Sequence, residues 1–173
     1  MGNSEIRSST CDRPGPLPLH VQAWNGPTHM ISGEITYQYL RRENSTAITG
    51  VSALSEKHPW YNERWRRQIE QHSEATEILF MLAARWADDV RRRDGANDRP
   101  QWALHQLSVQ ARGRAGGDQT ASAGEYPNRV RRESAILRSE VPAEQRAIAL
   151  AWLFYLVGDI HQPLHTAQIF TRQ

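Results

Sequence analysis

A run of eleven consecutive apolar residues at 147–157 constrains the fold of this chain more than any other feature. Pro142 and Glu144 precede the run and suit the first turn of a helix. A helix that is apolar on every side has to be buried among other elements. The run is too short to span a bilayer, and Asp159 follows it closely. The sequence therefore predicts a buried central helix.

The rest of the chain has mostly helical periodicity, and no segment alternates with the period of a strand. In the first helix we expect Ile31, Ile35, Tyr39 and Leu40 to lie near one face. With only 173 residues the chain hardly suffices for two domains, so we predict one multi-helix, all-α domain. The predicted helices cover 29–40, 46–54, 59–69, 75–93 and a last one from residue 142.

The charge balance is a poor argument for nucleic-acid binding. The chain has 21 basic and 19 acidic residues, a formal net charge of +2. Segment 103–135 holds five arginines and three acids and so carries that whole excess, while the remainder has 16 of each sign. A nucleic-acid-binding domain is expected to be basic over a folded face. Cys11 is the single cysteine, so any metal would need histidine and carboxylate ligands.

Asp159 is the first candidate for chemistry, because a buried carboxylate needs a cation, a hydrogen-bond donor or a metal. His161 and His165 follow it, with Pro163 between them. Imidazole nitrogen and carboxylate oxygen together suit a cation such as zinc. The alternative is that Asp159 caps a helix end and both histidines are structural, and spacing alone favours this alternative.

Asp88 and His29 are weaker candidates for metal ligands when each is considered alone. Asp88 precedes Asp89 near the end of a helix with a strong apolar face. A solvated acidic pair is the plainer interpretation, with Asp89 pointing toward Arg92 and Arg93. His29 stands near a helix start, where a polar surface role is more common than a ligand role.

Three motifs follow one another along the chain: Trp24-Asn25-Gly26-Pro27-Thr28-His29, Trp86-Ala87-Asp88 and Gly158-Asp159-Ile160-His161-Gln162-Pro163-Leu164-His165. In this order they resemble the zinc-dependent S1/P1 nucleases, which are single-strand nucleases and 3′-nucleotidases related to zinc phospholipase C. The last motif is highly specific, and the resemblance runs from Trp24 to the end of the chain, excluding 103–135. It implies a mostly helical fold with up to three zinc ions at the bottom of a cleft.

The resemblance also implies a set of metal ligands. Trp24 would supply its backbone carbonyl, and its α-amino group if it became the mature N-terminus, to a zinc that His29 also binds. Asp159 would bridge this zinc to a second one. Asp88 would bind in the closely spaced zinc pair and act catalytically by orienting the attacking water, and His165 would bind the remaining zinc.

Several family ligands are altered or absent, and His161 replaces none of them. The family has a histidine one turn before the buried aspartate, where this chain has Tyr155, and a neutral phenol is a poor zinc ligand. A histidine and an aspartate that complete the His165 zinc in the family would lie beyond Gln173. We therefore expect a domain that is incomplete at its C-terminus and that has little or no nuclease activity.

Another family ligand is expected near Trp102, where bacterial relatives have Trp-His-Tyr-Ile-Asn after an Arg-Pro turn. Here an aperiodic segment rich in arginine and glycine follows. Removing one base from a permitted back-translation of 103–111 gives His-Tyr-Ile-Asn-Phe-Pro-Phe-Lys. Our hypothesis is that about 103–135 is translated out of frame, so that His105 is no ligand. The alternative is a genuine basic loop that touches nucleic acid, and the coding DNA sequence distinguishes the two.

The N-terminal residues 1–23 are expected to be a non-structural leader, a degenerate or misassigned signal region, before a partial zinc-nuclease-like domain at 24–173. Residues 21–23 have the small-residue pattern of a signal-peptidase site, but no apolar signal-peptide core precedes them. The resemblance implies a secreted or periplasmic protein, whereas the missing signal leaves a cytoplasmic location open.

The function implied by the resemblance is zinc-dependent hydrolysis of phosphodiester bonds in single-stranded DNA or RNA, with 3′-nucleotidase action as a further activity. A phospholipase-type zinc phosphodiesterase is the first alternative, because the same zinc constellation serves both substrates. A non-catalytic helical remnant or binding module is the second. Metal content distinguishes this second alternative from the enzymes, since a remnant should not hold a multi-zinc cluster.

Overall fold

A computed structural model describes residues 25–91, 93–99, 102, 108–109, 125–161 and 168–169 of the chain. The described part is all-α, as predicted, apart from one parallel pair of two-residue strands, β1 (Ser108–Val109) and β2 (Gln168–Ile169). No helix in this part is long and apolar enough to cross a membrane. The helices are α1 (Gly26–Glu43), α2 (Ser45–Ser55), a π-helical turn (Tyr61–Trp65) that continues into α3 (Arg66–Ile69), α4 (Ala75–Val90), α5 (Glu125–Leu137) and α6 (Ala143–Ile160).

The core lies where α4 and α6 pack against each other, and it is rich in tryptophan. Trp86 of α4 and Trp152 of α6 meet edge to face, with ring centroids 5.6 Å apart. Trp102 packs on the other side of Trp152 at 4.9 Å. Leu156 is completely buried. The apolar run at 147–157 thus forms the central helix that its composition predicts.

A histidine is enclosed in this aromatic core. His58 stacks on Trp65 at 4.4 Å between ring centroids and meets the edge of Trp86 at 4.7 Å. Its Nδ1 accepts a hydrogen bond from the backbone N–H of Trp60. Burial lowers the pKa of His58 to about 3, although the negative charge of Asp94 opposes the shift. His58 therefore packs as a neutral ring at physiological pH.

Polar side chains and a proline fix several helix ends. Asn44 separates α1 from α2, and its side chain accepts a hydrogen bond from the backbone N–H of Ala47 in the first turn of α2. Pro142 stands immediately before α6, with Glu144 in the first turn. An acid there interacts favourably with the exposed N–H groups of the helix.

The packing of α1 on α4 requires a glycine. A Cβ atom at Gly33 would lie 2.6 Å from the carbonyl oxygen of Phe80 and 2.9 Å from Cα of Met81. The two backbones therefore approach more closely than any side chain at this position permits. His29 lies one turn earlier on the same side of α1 and is fully buried.

The apolar face of α1 that the spacing predicts is not the face that packs on the core. Ile31, Ile35 and Tyr39 are 53%, 64% and 57% exposed. They do share one face, as their spacing predicts, but that face points away from the core. The face that packs on α4 is the one with His29 and Gly33, because the missing side chain at Gly33 lets α4 approach there.

Helix α5 includes the end of segment 103–135, for which the sequence analysis predicts no helix. The Tyr126 hydroxyl donates a hydrogen bond to the carbonyl of Leu156 in α6. Arg129 and Glu133 are buried, and this burial raises the pKa of Glu133. Residues 103–124, except Ser108–Val109, lie outside the described residues. The hypothesis of a shifted reading frame stays a prediction that the coding DNA tests.

Gly33→Ala should lower the free energy of unfolding by about 1–3 kcal/mol, because its methyl group has no space between α1 and α4. Gly50→Ala is the matched control, since a Cβ atom at Gly50 of α2 would meet nothing within 4 Å. This second change should raise the free energy of unfolding by about 0.5–1 kcal/mol, as alanine favours a helix. Urea titrations followed by circular dichroism measure both, and equal effects would contradict the close packing at Gly33.

Candidate functional site

Three helices bring together three of the residues that the sequence singles out. His29 lies in the first turn of α1, Asp88 in the last turn of α4 and Asp159 in the last turn of α6. Nε2 of His29 is 3.3 Å from Oδ1 of Asp159 and 3.9 Å from Oδ2 of Asp88. These positions are far apart in the sequence, so only the packing of α1, α4 and α6 makes them neighbours. We call the three residues the His-Asp cluster.

The three side chains differ in their access to solvent. His29 and Asp159 are 0% exposed, whereas the side chain of Asp88 is 17% exposed. His29 and Asp159 therefore form the floor of the cluster, and Asp88 lies at its mouth. Within the cluster, only the side chain of Asp88 is exposed to solvent.

Small residues allow α6 to approach α1 at the cluster. A Cβ atom at Gly158 would lie 3.1 Å from Nδ1 of His29 and 3.1 Å from Oγ of Ser32. Any larger residue at this position would press on the imidazole of His29. The glycine that precedes Asp159 in the last motif thus has a steric role in placing the histidine beside the aspartate.

The donor atoms of the cluster fit a zinc ion in part. With zinc–ligand bonds of about 2.0–2.1 Å, neighbouring ligands of a tetrahedral site lie about 3.3 Å apart. The 3.3 Å between His29 and Asp159 matches this spacing, while the 3.9 Å to Asp88 is longer. Among the described residues, no group of three or more His, Cys, Asp or Glu forms a metal site. Trp24 and His165, the other predicted ligands, lie outside the described residues.

Electrostatics at the cluster favour an added positive charge. Burial raises the pKa of Asp88, and the neighbouring negative charge of Asp159 raises it further. His29 and Arg91 act in the opposite direction without cancelling the shift. Two carboxylates held this close in a buried place are stabilised by a cation between them.

Tyr155 and Arg91 lie in a second layer around the cluster; the resemblance implied the place of Tyr155, but the sequence analysis did not predict Arg91. The Tyr155 ring stacks on the His29 ring at 4.2 Å between centroids. Arg91 donates a hydrogen bond from Nη2 to the Tyr155 hydroxyl, and the same nitrogen is 3.4 Å from Oδ1 of Asp88. Burial raises the pKa of Tyr155, so its hydroxyl stays protonated. The three-residue spacing of Asp88 and Arg91 on one helix was the available signal.

His161 and Asp89, which are close in sequence to Asp159 and Asp88, do not belong to the His-Asp cluster. His161 is exposed, and its Nδ1 is 2.7 Å from the carbonyl oxygen of Val157. Asp89 forms an ion pair of 2.7 Å with Arg85, one turn earlier on α4, and lines the same pocket as Arg93, while Arg92 lies outside the described residues. Asp88 and Asp89 therefore face different surroundings, although they are adjacent in the chain.

The comparisons with known proteins give one match. The model of the S1/P1 Nuclease family matches residues 24–172, which is most of the chain. No curated protein and no solved structure matches the chain.

Asp88→Asn should raise the melting temperature of the metal-free protein by a few degrees at pH 7, because it removes a buried charge whose pKa burial raises. Since a raised carboxyl pKa makes folding less favourable as the proton leaves, the gain should disappear as the pH falls toward about 4. Asp89→Asn should instead lower the melting temperature slightly, because it breaks the Arg85 pair. Calorimetry in EDTA compares the two, and a loss of stability in Asp88→Asn would refute the assignment of Asp88 as a costly buried charge.

Proposed function

Because the chain belongs to the S1/P1 nuclease family, we propose that it is a zinc-dependent hydrolase built for the phosphodiester bonds of single-stranded nucleic acid. The observation that supports the proposal is the convergence of His29, Asp88 and Asp159 from three helices. Buried histidine and carboxylate groups at this spacing have the donor chemistry that zinc accepts.

The proposed ligands divide between the described cluster and the residues outside it. His29 and Asp159 would hold zinc together with the backbone of Trp24, and Asp88 would contribute a further carboxylate ligand. His165 holds a further zinc. Because Trp24 precedes α1 by two residues and His165 follows α6 by five, the chain connects both directly to helices that form the cluster.

The residues of the cluster have different roles in this proposal. Bound zinc lowers the pKa of a water molecule and neutralises charge on a phosphate. Asp88, the only cluster side chain with access to solvent, accepts a hydrogen bond from the attacking water and orients it toward phosphorus. His29 and Asp159 stay buried and fix the position at which the attack takes place.

Tyr155 and Arg91 make this chain a weak catalyst in our proposal. A protonated phenol occupies the place of a family histidine, and the Arg91 guanidinium already balances part of the Asp88 charge. Both features lower the affinity of the cluster for zinc. They also favour the second candidate, a helical module of the same family that binds nucleic acid without cutting it.

A zinc titration of the full chain by calorimetry tests the proposal. His29→Ala should weaken zinc binding by roughly 100-fold or more, since even residues that only orient ligands change metal affinity by about 10–100-fold. His72→Ala, which removes an exposed histidine, is the matched control and should bind zinc as the wild type does. Slow zinc-dependent cleavage of a fluorescent single-stranded oligonucleotide would support an enzyme. Equal zinc affinity in all three proteins would overturn the proposed cluster.

Tyr155→His should raise the zinc affinity by roughly tenfold or more, because it puts an imidazole nitrogen beside His29 and Asp159 and removes the hydroxyl that Arg91 binds. Tyr155→Phe keeps an aromatic ring on His29 but adds no donor atom, so it should not raise the affinity. The measurement is the same titration, followed by the cleavage assay with each variant. A gain with phenylalanine as large as with histidine would show that release of Arg91, rather than a new ligand, is responsible.

A further inference from the structure

An arginine-rich pocket lies beside the His-Asp cluster, between the π-helical turn with α3 and the end of α4. It has a volume of about 310 Å³. Two core tryptophans, Trp60 and Trp65, form its floor, and they are 7% and 1% exposed. The charged residues that line the pocket are Glu63, Arg64, Arg67, Arg85, Asp89 and Arg93.

The charge in this pocket is locally unbalanced. Four arginines and two acids give a net charge of +2 within the lining. Arg85 and Asp89 neutralise each other through an ion pair of 2.7 Å, so Arg64, Arg67 and Arg93 face only Glu63. Outside segment 103–135 the chain has as many acids as bases, so this excess is a property of the pocket and not of the whole surface.

Arg64 is held in place rather than freely solvated. Its guanidinium carbon lies 4.4 Å from the centre of the Trp60 ring, a cation–π arrangement. Arg67 is three residues further along and lines the same pocket. A guanidinium that is already positioned loses less entropy when it binds, and its planar fork of N–H groups matches two oxygens of a phosphate.

The pocket is joined to the cluster through α4 and α1. A Cβ atom at Gly26 would lie 3.1 Å from Cδ of Arg85, so this arginine rests against the first turn of the helix that carries His29. Arg85 also contacts the sulfur of Met30 at 3.4 Å. Asp89 of the pocket directly follows Asp88 of the cluster. A ligand that extends across the end of α4 would therefore contact both the pocket and the His-Asp cluster.

We propose that this pocket, formed around Arg64, Arg67 and Arg93, binds the phosphate groups of a single-stranded nucleic acid that extends beyond the His-Asp cluster. The apolar floor and the cationic rim match the alternation of sugar and phosphate along such a strand. The choice of nucleic acid rather than another anion rests on the proposed function. Binding at the pocket needs no zinc and no cleavage.

Fluorescence anisotropy with a labelled 12-nucleotide oligothymidylate tests the proposal on the full chain in EDTA. Arg64→Gln combined with Arg67→Gln should weaken binding tenfold or more. It should also reduce the slope of log affinity against log salt concentration by about 1.4, since each phosphate contact in a single strand contributes about 0.7. Arg41→Gln combined with Arg42→Gln removes the same charge from exposed positions near the end of α1 and should change binding less than twofold.

Four results would overturn the inference: no binding by the wild type, equal weakening by the two double variants, full competition by polyglutamate, or full competition by inorganic phosphate at millimolar concentration. The first two show that the pocket has no specific role. Full competition by polyglutamate would indicate a general polyanion site. Full competition by phosphate would indicate a site for a single small anion. Zinc titration remains an independent measurement. If oligonucleotide binds at the pocket but zinc does not bind at His29, the proposed function fails alone. If zinc binds at His29 but the two double variants bind oligonucleotide equally, the pocket inference fails alone.

Discussion

The burial of Asp159 beside His29 is the constraint on which the rest of the structure depends. A carboxylate at the end of a fully buried helix is costly unless positive charge or hydrogen-bond donors surround it. In this protein the surroundings are an imidazole at 3.3 Å, a second carboxylate and a guanidinium one layer further out. The positions of α1 and α4 around α6 follow from this requirement, and glycines provide the necessary space.

Two glycines decide how close the helices come. Gly33 lets α4 contact the backbone of α1, and Gly158 lets α6 contact the His29 ring. A side chain at either position would push a helix outward and separate the members of the cluster. The tryptophan core stabilises this arrangement through edge-to-face contacts of Trp152 with Trp86 and Trp102. Close helix packing and the placement of polar groups are thus one feature of this fold.

The end of helix α4 contributes residues to two adjacent sites, the His-Asp cluster and the arginine pocket. Asp88 turns toward the buried cluster and Asp89 toward the arginine pocket, because successive residues of a helix point about 100° apart. Arg85 supports the pocket one turn earlier, and Arg91 approaches the cluster one turn later. The proposed hydrolysis and the proposed strand binding therefore depend on the same helix end, which would place a bound strand beside the water-orienting carboxylate.

The sequence alone determined the buried central helix, because eleven apolar residues leave no polar face for solvent. It also identified His29, Asp88 and Asp159 as a group, since their motifs are specific in order and composition. It could not decide which face of α1 is buried: Ile31, Ile35 and Tyr39 form a regular apolar stripe, yet the glycine face packs instead. Helical periodicity defines faces but not their partners. The contacts of Tyr155 with His29 and Arg91, and the arginine pocket, arise between distant segments, so only the tertiary structure decided them.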